Sequence, residues 1–353
     1  MPSLLARALH ALSILSTFLC ISIVCARAEL VWTPQTGWQI EGGALSGLAG
    51  TDARNALALM NKARAAEEKG HRHSAISSYN KVFRKYPSSI YSAEALFRAG
   101  KLYHARKQYA KAFESLQQIL ARYPNTTRFN DVIGEEYRIA SALLDGAHPR
   151  YWGWLPGFRS REKGIVIFEY ILANAPYSDY APLALMNIAR GHQKLRDTEE
   201  AIDSLDRMIN TYPQSLLAPD AYLQLAKSHA ALVDGPAYDQ TSTKDAATYF
   251  EDFIILFPND PGVSTAAKGM SDMKTVLAQS KIMIGDFYFY KRSNYTAAKV
   301  FYNEAITDYP DSVVAAKAKK RLADIDADIE KHKPKFGPDG KIIPPKRKRF
   351  YFF

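Results

Sequence analysis

The stretch Ala93–Pro124, AEALFRAGKLYHARKQYAKAFESLQQILARYP, has the pattern of two short amphipathic helices joined by a turn. In the first helix Leu96, Gly100 and Tyr103 fall at i, i+4 and i+7, which places them on one face. The second helix repeats this spacing and is closed by Pro124, whose ring fixes φ and leaves no N–H to continue the ladder. Because such a hairpin cannot bury its apolar face alone, the sequence predicts that the pattern recurs.

An aromatic or small residue followed by proline closes a helical segment six times along the chain. The closing residues are Pro87, Pro124, Pro176, Pro213, Pro258 and Pro310, at intervals of 37, 52, 37, 45 and 52 residues. Twelve residues before each proline stands a small residue, namely Ala75, Ala112, Gly164, Ala201, Ala246 and Ala298. A small side chain at that position lets the second helix approach the first closely. The spacing therefore predicts six helical hairpins, three of them with insertions.

The order of residues within a hairpin resembles the tetratricopeptide repeat, in which Leu or Trp, Gly or Ala, Tyr, Ala, Phe or Leu and then Pro follow one another. The second hairpin matches with Leu96, Gly100, Tyr103, Ala112, Leu116 and Pro124. The fourth matches with Leu185, Ala189, Ala201, Leu205 and Pro213, and has His192 in the Tyr position. We therefore predict an all-α fold, a right-handed tetratricopeptide-repeat solenoid of about six helical hairpins plus a C-terminal capping helix.

The chain is divided into four predicted segments. Residues 1–28 are a predicted signal peptide, because Arg7 precedes an apolar run and Ala26-Arg27-Ala28 has the small-x-small pattern of a cleavage site. Residues 29–51 are an extended arm, 52–332 the solenoid and 333–353 a disordered tail rich in basic and aromatic residues. Two alternatives for the leader stay open, namely lipidation at Cys25 or Cys20 and retention as an uncleaved anchor.

The net charge of +10 is concentrated outside the predicted solenoid. The leader contributes +2 and residues 331–353 contribute +7, which leaves +1 for residues 29–330. With an export signal in front of a nearly neutral solenoid, we expect no nucleic-acid partner. Both cysteines lie in the leader, so the remainder of the chain has neither a thiol nucleophile nor a cysteine metal site.

Two interpretations are open for each of the segments that flank the solenoid. The tryptophans of the N-terminal arm, Trp32 and Trp38, either pack on the first repeat or bind a partner. The C-terminal run of Lys346–Arg349 followed by Phe350–Phe353 either contacts an anionic membrane surface or a partner, or is a solvated end.

The third hairpin carries an insertion, residues 148–163, between its two helices. Loops of this length inside a repeat are uncommon and are often functional. Aromatic residues interleaved with arginine are typical of protein interfaces, although a self-packed loop is an equal alternative. The candidate partner-binding residues here are Trp152, Trp154, Phe158, Arg159 and Arg161.

Stacked first helices of a solenoid line a concave groove that can hold a peptide. By the repeat register, the candidate partner-binding residues are Leu57, Met60 and Arg64 in the first repeat, Glu94, Phe97, Lys101 and His104 in the second, and Leu183, Met186 and Arg190 in the fourth. At each of these positions ordinary packing between neighbouring repeats is the alternative.

Motifs of the common enzyme classes are absent from the sequence: there is no nucleophile elbow, HExxH, P-loop or Gly-rich dinucleotide turn. His71 and His73 lie at i, i+2 in a predicted turn without further ligands nearby. We therefore predict no enzymatic activity, no cofactor and no metal.

Repeats of the form YP-x-S-x-(Y/L)-(A/S)-x-x-A-L behind an export signal resemble the YfiO-type family, that of the outer-membrane protein assembly factor BamD. The matching stretches are Tyr86–Pro124, Phe158–Arg161 and Gly285–Ser312, and the resemblance covers about residues 52–330. It implies a non-catalytic periplasmic scaffold, associated with the outer membrane, whose partners are the barrel-insertion machinery and unfolded outer-membrane proteins. The alternative is a Tol-Pal-type, secretion or cell-wall coordinator that binds other envelope proteins and has the same YP-x-S pattern.

Overall fold

A computed structural model describes residues 29–41, 50–333, 335–336 and 342–343 of the chain. The predictions made for the leader, its cysteines and the basic-aromatic end of the tail lie outside these residues. The described residues contain thirteen α-helices, and the predicted all-α tetratricopeptide-repeat class is confirmed. The handedness of the solenoid stays a prediction.

The helices follow the chain as six hairpins and one final helix. Their bounds are α1 Thr51–Glu68, α2 Arg72–Lys85, α3 Tyr91–Ala105, α4 Tyr109–Arg122, α5 Phe129–Leu144, α6 Arg161–Asn174, α7 Tyr180–Leu195, α8 Thr198–Thr211, α9 Ala218–Ala231, α10 Thr241–Leu256, α11 Val263–Asp286, α12 Tyr295–Asp308 and α13 Ala315–His332. The described residues form two compact units, one that ends at Ala184 and one that begins at Leu185.

Three short antiparallel strand pairs accompany the helices. They are β1 Glu29–Thr33 with β2 Gly37–Glu41, β3 Arg150–Tyr151 with β4 Leu155–Pro156, and β5 Lys335–Phe336 with β6 Ile342–Ile343. The third pair lies in the predicted disordered tail, so the described part of that segment has regular structure where we expected none. The Pro and Lys content that predicted disorder does not prevent a two-residue ladder.

The six helices that precede a closing proline end in one backbone conformation. The residue between each helix and its proline has φ between −127° and −141° and ψ between 54° and 58°. A residue before proline is pushed out of the helical region by the proline ring, which explains the repeated value. In each case the carbonyl of that residue accepts the N–H three positions later, at 3.0–3.1 Å. Each helix therefore ends in a turn that has proline at its second position, where the fixed φ is favourable.

The small residue twelve positions before each closing proline is buried in all six hairpins. The five alanines at this position have no exposed surface, and Gly164 is buried as well. A Cβ added to Gly164 would lie 2.8 Å from the carbonyl oxygen of Ala140 and 3.0 Å from the amide nitrogen of Leu144. The backbones of α5 and α6 are thus in direct contact at the position that the sequence reserves for a small side chain.

The sixth hairpin differs from our expectation. The sequence around the sixth hairpin predicts separate helical stretches at Val263–Leu277 and Gln279–Lys291, whereas α11 is one continuous helix that passes into a π-helical turn at Phe287–Lys291. No proline or glycine interrupts the join between the two stretches, so nothing in the backbone ends the helix there. Gly285, two residues before the π-helical segment, leaves room for the ring of Tyr302, which has an atom 2.6 Å from where a Cβ would stand.

We predict that Gly164→Ala destabilises the protein, by about 1–3 kcal/mol, because the added methyl group meets backbone atoms that cannot move aside. Gly100→Ala is the matched control, since its Cβ would stand 3.2 Å from the flexible end of Leu116 and alanine favours a helix. Urea unfolding followed by circular dichroism measures both changes. Equal urea midpoints for Gly164→Ala and Gly100→Ala would contradict the contact between Gly164 and the backbone of α5.

Candidate functional site

The N-terminal β-hairpin packs on the first two repeats of its own unit. Its two tryptophans are cross-strand partners, and Trp38 is 2% exposed in a core cluster that includes Met60. The backbone N–H of Trp38 donates to Asn61 Oδ1 at 2.9 Å, which fixes the hairpin to α1. The Arg64 guanidinium lies 4.2 Å above the ring of Trp32. The described residues of the arm thus have the packing role that we gave as the first of two interpretations.

A chain of alternating charges runs across the first helices of the first three hairpins. It starts at Arg64, whose Nη1 lies 3.4 Å from Glu67, and passes to Arg98, 3.9 Å from the other oxygen of that carboxylate. Arg98 and Arg128 both pair with Glu94, at 2.8 and 2.7 Å. Because Glu94 is 6% exposed, its pairing with two guanidinium groups is what makes its burial tolerable.

A second group of contacts lies next to this chain on α3 and α5. Phe97 is 6% exposed and has the Arg128 guanidinium at 5.3 Å from its ring centre. The ammonium group of Lys101, which is exposed, lies 5.8 Å from the same ring. His104 Nδ1 lies 2.6 Å from Glu135 Oε1, so His104 bridges two repeats.

These contacts show where the predicted groove residues lie. In the first two repeats Met60, Glu94 and Phe97 are buried, Leu57, Arg64 and His104 are half-buried, and Lys101 is exposed. In the fourth repeat Leu183 and Met186 are half-buried and Arg190 is exposed. Met60 has no exposed surface, so its side chain serves the core in this structure. Binding of a partner at these positions stays a prediction.

Glu136 is a fully buried carboxylic acid beside the His104–Glu135 pair. Its Oε1 accepts from Gln117 Nε2 at 2.8 Å, and its Oε2 has no hydrogen-bond partner among the described residues. Burial raises the pKa of Glu136 to about 8, because the charged form would be desolvated without a cation. Burial acts the same way on neighbouring Glu135, but its bonds to His104 and Arg138 outweigh this and lower its pKa.

We predict that Glu136→Gln removes a pH dependence of stability. The folded-state pKa lies above the unfolded value, so the folded state holds an extra proton and stability falls as the pH rises from about 4.5 to about 8. The slope is at most about 1.4 kcal/mol per pH unit. Glutamine keeps the acceptor for Gln117 and cannot ionise, so the variant is more stable than the natural protein at pH 8.

Urea unfolding at pH 5.5 and pH 8 measures this difference. Glu135→Gln is the control, because that carboxylate is ionised between His104 and Arg138 and its loss destabilises the protein at neutral pH. A natural protein whose stability does not change between the two pH values would contradict the assignment.

The insertion of the third hairpin is a small β-hairpin fixed to the preceding repeat. The N–H of Arg150 donates to the carbonyl of Lys107 at 2.8 Å, and Arg106 Nη2 donates to the carbonyl of Trp152 at 3.4 Å. At the tip, Trp152 and Gly153 have φ of 52° and 87°, in the left-handed region. A Cβ on Gly153 would stand 2.3 Å from Arg106, so this glycine is needed both for the turn and for the contact.

The aromatic side chains of this β3–β4 hairpin are exposed. Trp152 is 70%, Trp154 71% and Phe158 91% exposed, and Tyr151 and Leu155 are also open to solvent. A cavity of about 300 Å³ lies between the hairpin and the start of α4, lined by Tyr109, Lys111, Arg150, Tyr151, Trp152 and Leu155. Arg159 donates a hydrogen bond to His148, and Arg161 donates one to the carbonyl of Leu144. These two bonds fix the segment between β4 and α6.

Sequence reasoning missed the further residues of the charge chain and the residues that hold the β3–β4 hairpin in place. Arg98, Arg128 and Glu67 join the charge chain, and Arg106 and Lys107 anchor the β3–β4 hairpin. The i, i+4 spacing of Glu94 and Arg98 was a usable local signal. Contacts between different repeats had no such signal.

The described residues contain neither a candidate metal site nor a candidate membrane-spanning helix. No group of three or more His, Cys, Asp or Glu side chains there is arranged to hold a metal ion, and His71 and His73 are exposed. Among those same residues, no helix has the length and apolar character needed to cross a bilayer.

Comparison with known families gives two matches. Residues 160–333 match the family described as YfiO, outer membrane lipoprotein, and residues 57–89 and 94–126 match the tetratricopeptide repeat. The repeat matches coincide with the first two helical hairpins, and the YfiO match runs from the start of α6 to the end of α13.

Curated relatives agree with the first match. An outer membrane protein assembly factor BamD from Rickettsia prowazekii (strain Madrid E) is 29% identical over 157 residues, 44% of this chain and 62% of the relative. Its counterpart from Xylella fastidiosa (strain 9a5c) is 25% identical over 42% of this chain and 53% of the relative. The chain thus spans between about half and two thirds of these relatives' lengths.

Solved structures of repeat proteins are more distant. A tetratricopeptide repeat protein from Parabacteroides merdae ATCC 43184 is 16% identical, with 78% of this chain and 99% of that chain covered and a TM-score of 0.32. At this score the likeness adds nothing to the fold described above.

Proposed function

The resemblance to the YfiO-type family is confirmed, and from it we propose that this chain is a non-catalytic scaffold of outer-membrane protein assembly. The match of residues 160–333 carries this proposal. The proposed partners are a barrel-insertion machinery and unfolded outer-membrane proteins. Relatives that bear the name of an assembly factor support the same role.

The repeat architecture suits a binding role. Hairpins that share one closing turn and one close helix contact give a rigid frame, on which loops and helix faces differ from repeat to repeat. We propose that partners use the exposed side chains of the first helices, of which Lys101 in α3 and Arg190 in α7 are examples. The charge chain, in which Glu94 is buried and its partners are half-buried, links α1 and α3 to the start of α5, so the α3 face need not reorganise on binding.

We also propose that the protein is exported to the periplasm and associated with the outer membrane. The leader predicted from residues 1–28 and the match to a family of outer membrane lipoproteins support this location. Whether the leader is cleaved after Ala28 or lipidated at Cys25 is decided by mass spectrometry of the mature N-terminus.

The decisive experiment is affinity purification of the tagged full-length chain from detergent-solubilised envelopes of its native host. We expect recovery of an outer-membrane barrel insertase. Lys101→Glu should lower that recovery about fivefold or more, because it reverses the charge of an exposed side chain on the proposed face. Lys81→Glu, an equally exposed lysine on α2, is the matched control and should leave recovery unchanged.

Purification of Tol-Pal or secretion-channel components in place of the insertase would refute the assembly role. Equal recovery of the insertase by Lys101→Glu and Lys81→Glu would be consistent with the assembly role. It would refute the proposal that partners bind the face on which Lys101 lies.

A further inference from the structure

We propose that the β3–β4 hairpin is a membrane-surface anchor, in which Trp152, Trp154 and Phe158 enter the interface of an anionic bilayer. The arginines beside them then contact lipid phosphate groups. This inference does not depend on the assembly role, because its test needs only the protein and lipid.

The first observation is the exposure of large apolar side chains at one place. Trp152, Trp154 and Phe158 lie within seven residues and are each at least 70% exposed. Exposed apolar clusters of this kind mark sites of interaction. Tryptophan in particular is enriched at the membrane–water boundary, since its ring is amphipathic and rigid.

The second observation is the charge around these rings. Residues 146–161 contain three arginines and no Asp or Glu, while exposed Lys107 and Lys111 lie on the turn and helix to which the hairpin is fixed. Two acids flank this segment: Asp145, which is exposed, and Glu162, which accepts a hydrogen bond from Ser160 at the first turn of α6. Apolar rings with a basic surround complement a surface of phosphate groups over hydrocarbon, where each basic residue adds attraction to anionic lipid.

The third observation is that several polar groups of the hairpin backbone are already hydrogen-bonded within the protein. The N–H of Gly157 donates to the carbonyl of Pro149 at 2.7 Å, and the N–H of Trp154 donates to the carbonyl of Tyr151 at 3.2 Å. The carbonyl of Trp152 accepts from Arg106. A tip whose backbone is already paired can enter a region poor in water at a smaller cost than an open loop.

A protein partner is the competing occupant, and the shape of the hairpin favours lipid. Interface hot spots are aromatic residues that fill well-packed pockets. Here Trp152 and Trp154 lie at the hairpin tip between β3 and β4, and Phe158 follows β4. The adjacent cavity of about 300 Å³ is lined by Trp152 but by neither Trp154 nor Phe158. A fluid interface accepts projecting rings without a matching cavity.

The test uses tryptophan fluorescence of the full chain with vesicles that contain a brominated acyl chain as quencher. The chain has four tryptophans, and neither the predicted leader nor residues 333–353 contain one, so contacts made by those segments cannot themselves quench emission. The double variant Trp152→Phe/Trp154→Phe gives the background from Trp32 and Trp38. We expect strong quenching above this background with phosphatidylglycerol-containing vesicles, and little with pure phosphatidylcholine or at about 0.5 M NaCl.

Phe158→Ser keeps both reporter tryptophans and removes the most exposed ring. We expect it to lower the vesicle partition coefficient of the hairpin, read from the lipid dependence of quenching, by about tenfold. Leu216→Ser is the matched control, because Leu216 is 97% exposed in the turn between α8 and α9 and should not affect quenching.

Tryptophan emission that stays at background in anionic vesicles overturns the proposal, even when the protein floats with them, because another segment then makes the contact. Quenching that Phe158→Ser leaves unchanged also overturns it. If Phe158→Ser weakens binding to a purified barrel insertase and not to vesicles, the hairpin is a protein interface.

Discussion

The close approach of two helix backbones in each hairpin is the contact on which the rest of the structure depends. It requires a small residue twelve positions before the closing proline, and at Gly164 the two backbones leave no room even for a methyl group. The proline then ends the second helix in one fixed conformation and turns the chain toward the next hairpin. The helix contact at the small residue and the closing proline both act within one hairpin. A change in the length of the loop between its two helices therefore leaves both intact. Insertions are therefore tolerated at that point in the third and fifth hairpins.

The same reasoning explains what could be predicted from the sequence. The six hairpins follow from residues at most a few turns apart, and the sequence pattern contains them all. The ion pairs Arg98–Glu67 and Arg128–Glu94 join residues 31 and 34 positions apart, so they depend on how one repeat stacks on the next. The continuity of α11 was missed although its signal is local, since neither proline nor glycine lies between Leu277 and Gln279 to end a helix there.

The candidate groove residues show how packing and binding compete for the same positions. The register placed them on the first helices, yet α3 uses Glu94 and Phe97 for contacts inside the protein. A residue on this face reaches solvent only when the neighbouring repeat and the N-terminal β-hairpin leave it uncovered, as they do for Lys101. Register alone therefore overestimates the surface that is available to a partner, and burial has to be known before such residues are assigned a binding role.

The two tryptophan-bearing β-hairpins of the first unit differ in how far their tryptophans are exposed. In the N-terminal one, Trp38 is 2% exposed and Trp32 lies under a guanidinium group, so the hairpin covers apolar surface. In the β3–β4 hairpin the backbone is held just as firmly, by Lys107 and Arg106, but both tryptophans point to solvent. The difference cannot come from a lack of order, because each is fixed by hydrogen bonds to the nearest helix or turn. The β3–β4 hairpin is fixed in place but exposes its largest apolar rings, so it lacks the stabilising burial that the N-terminal β-hairpin has. Contact of these rings with a surface outside the chain compensates for that loss.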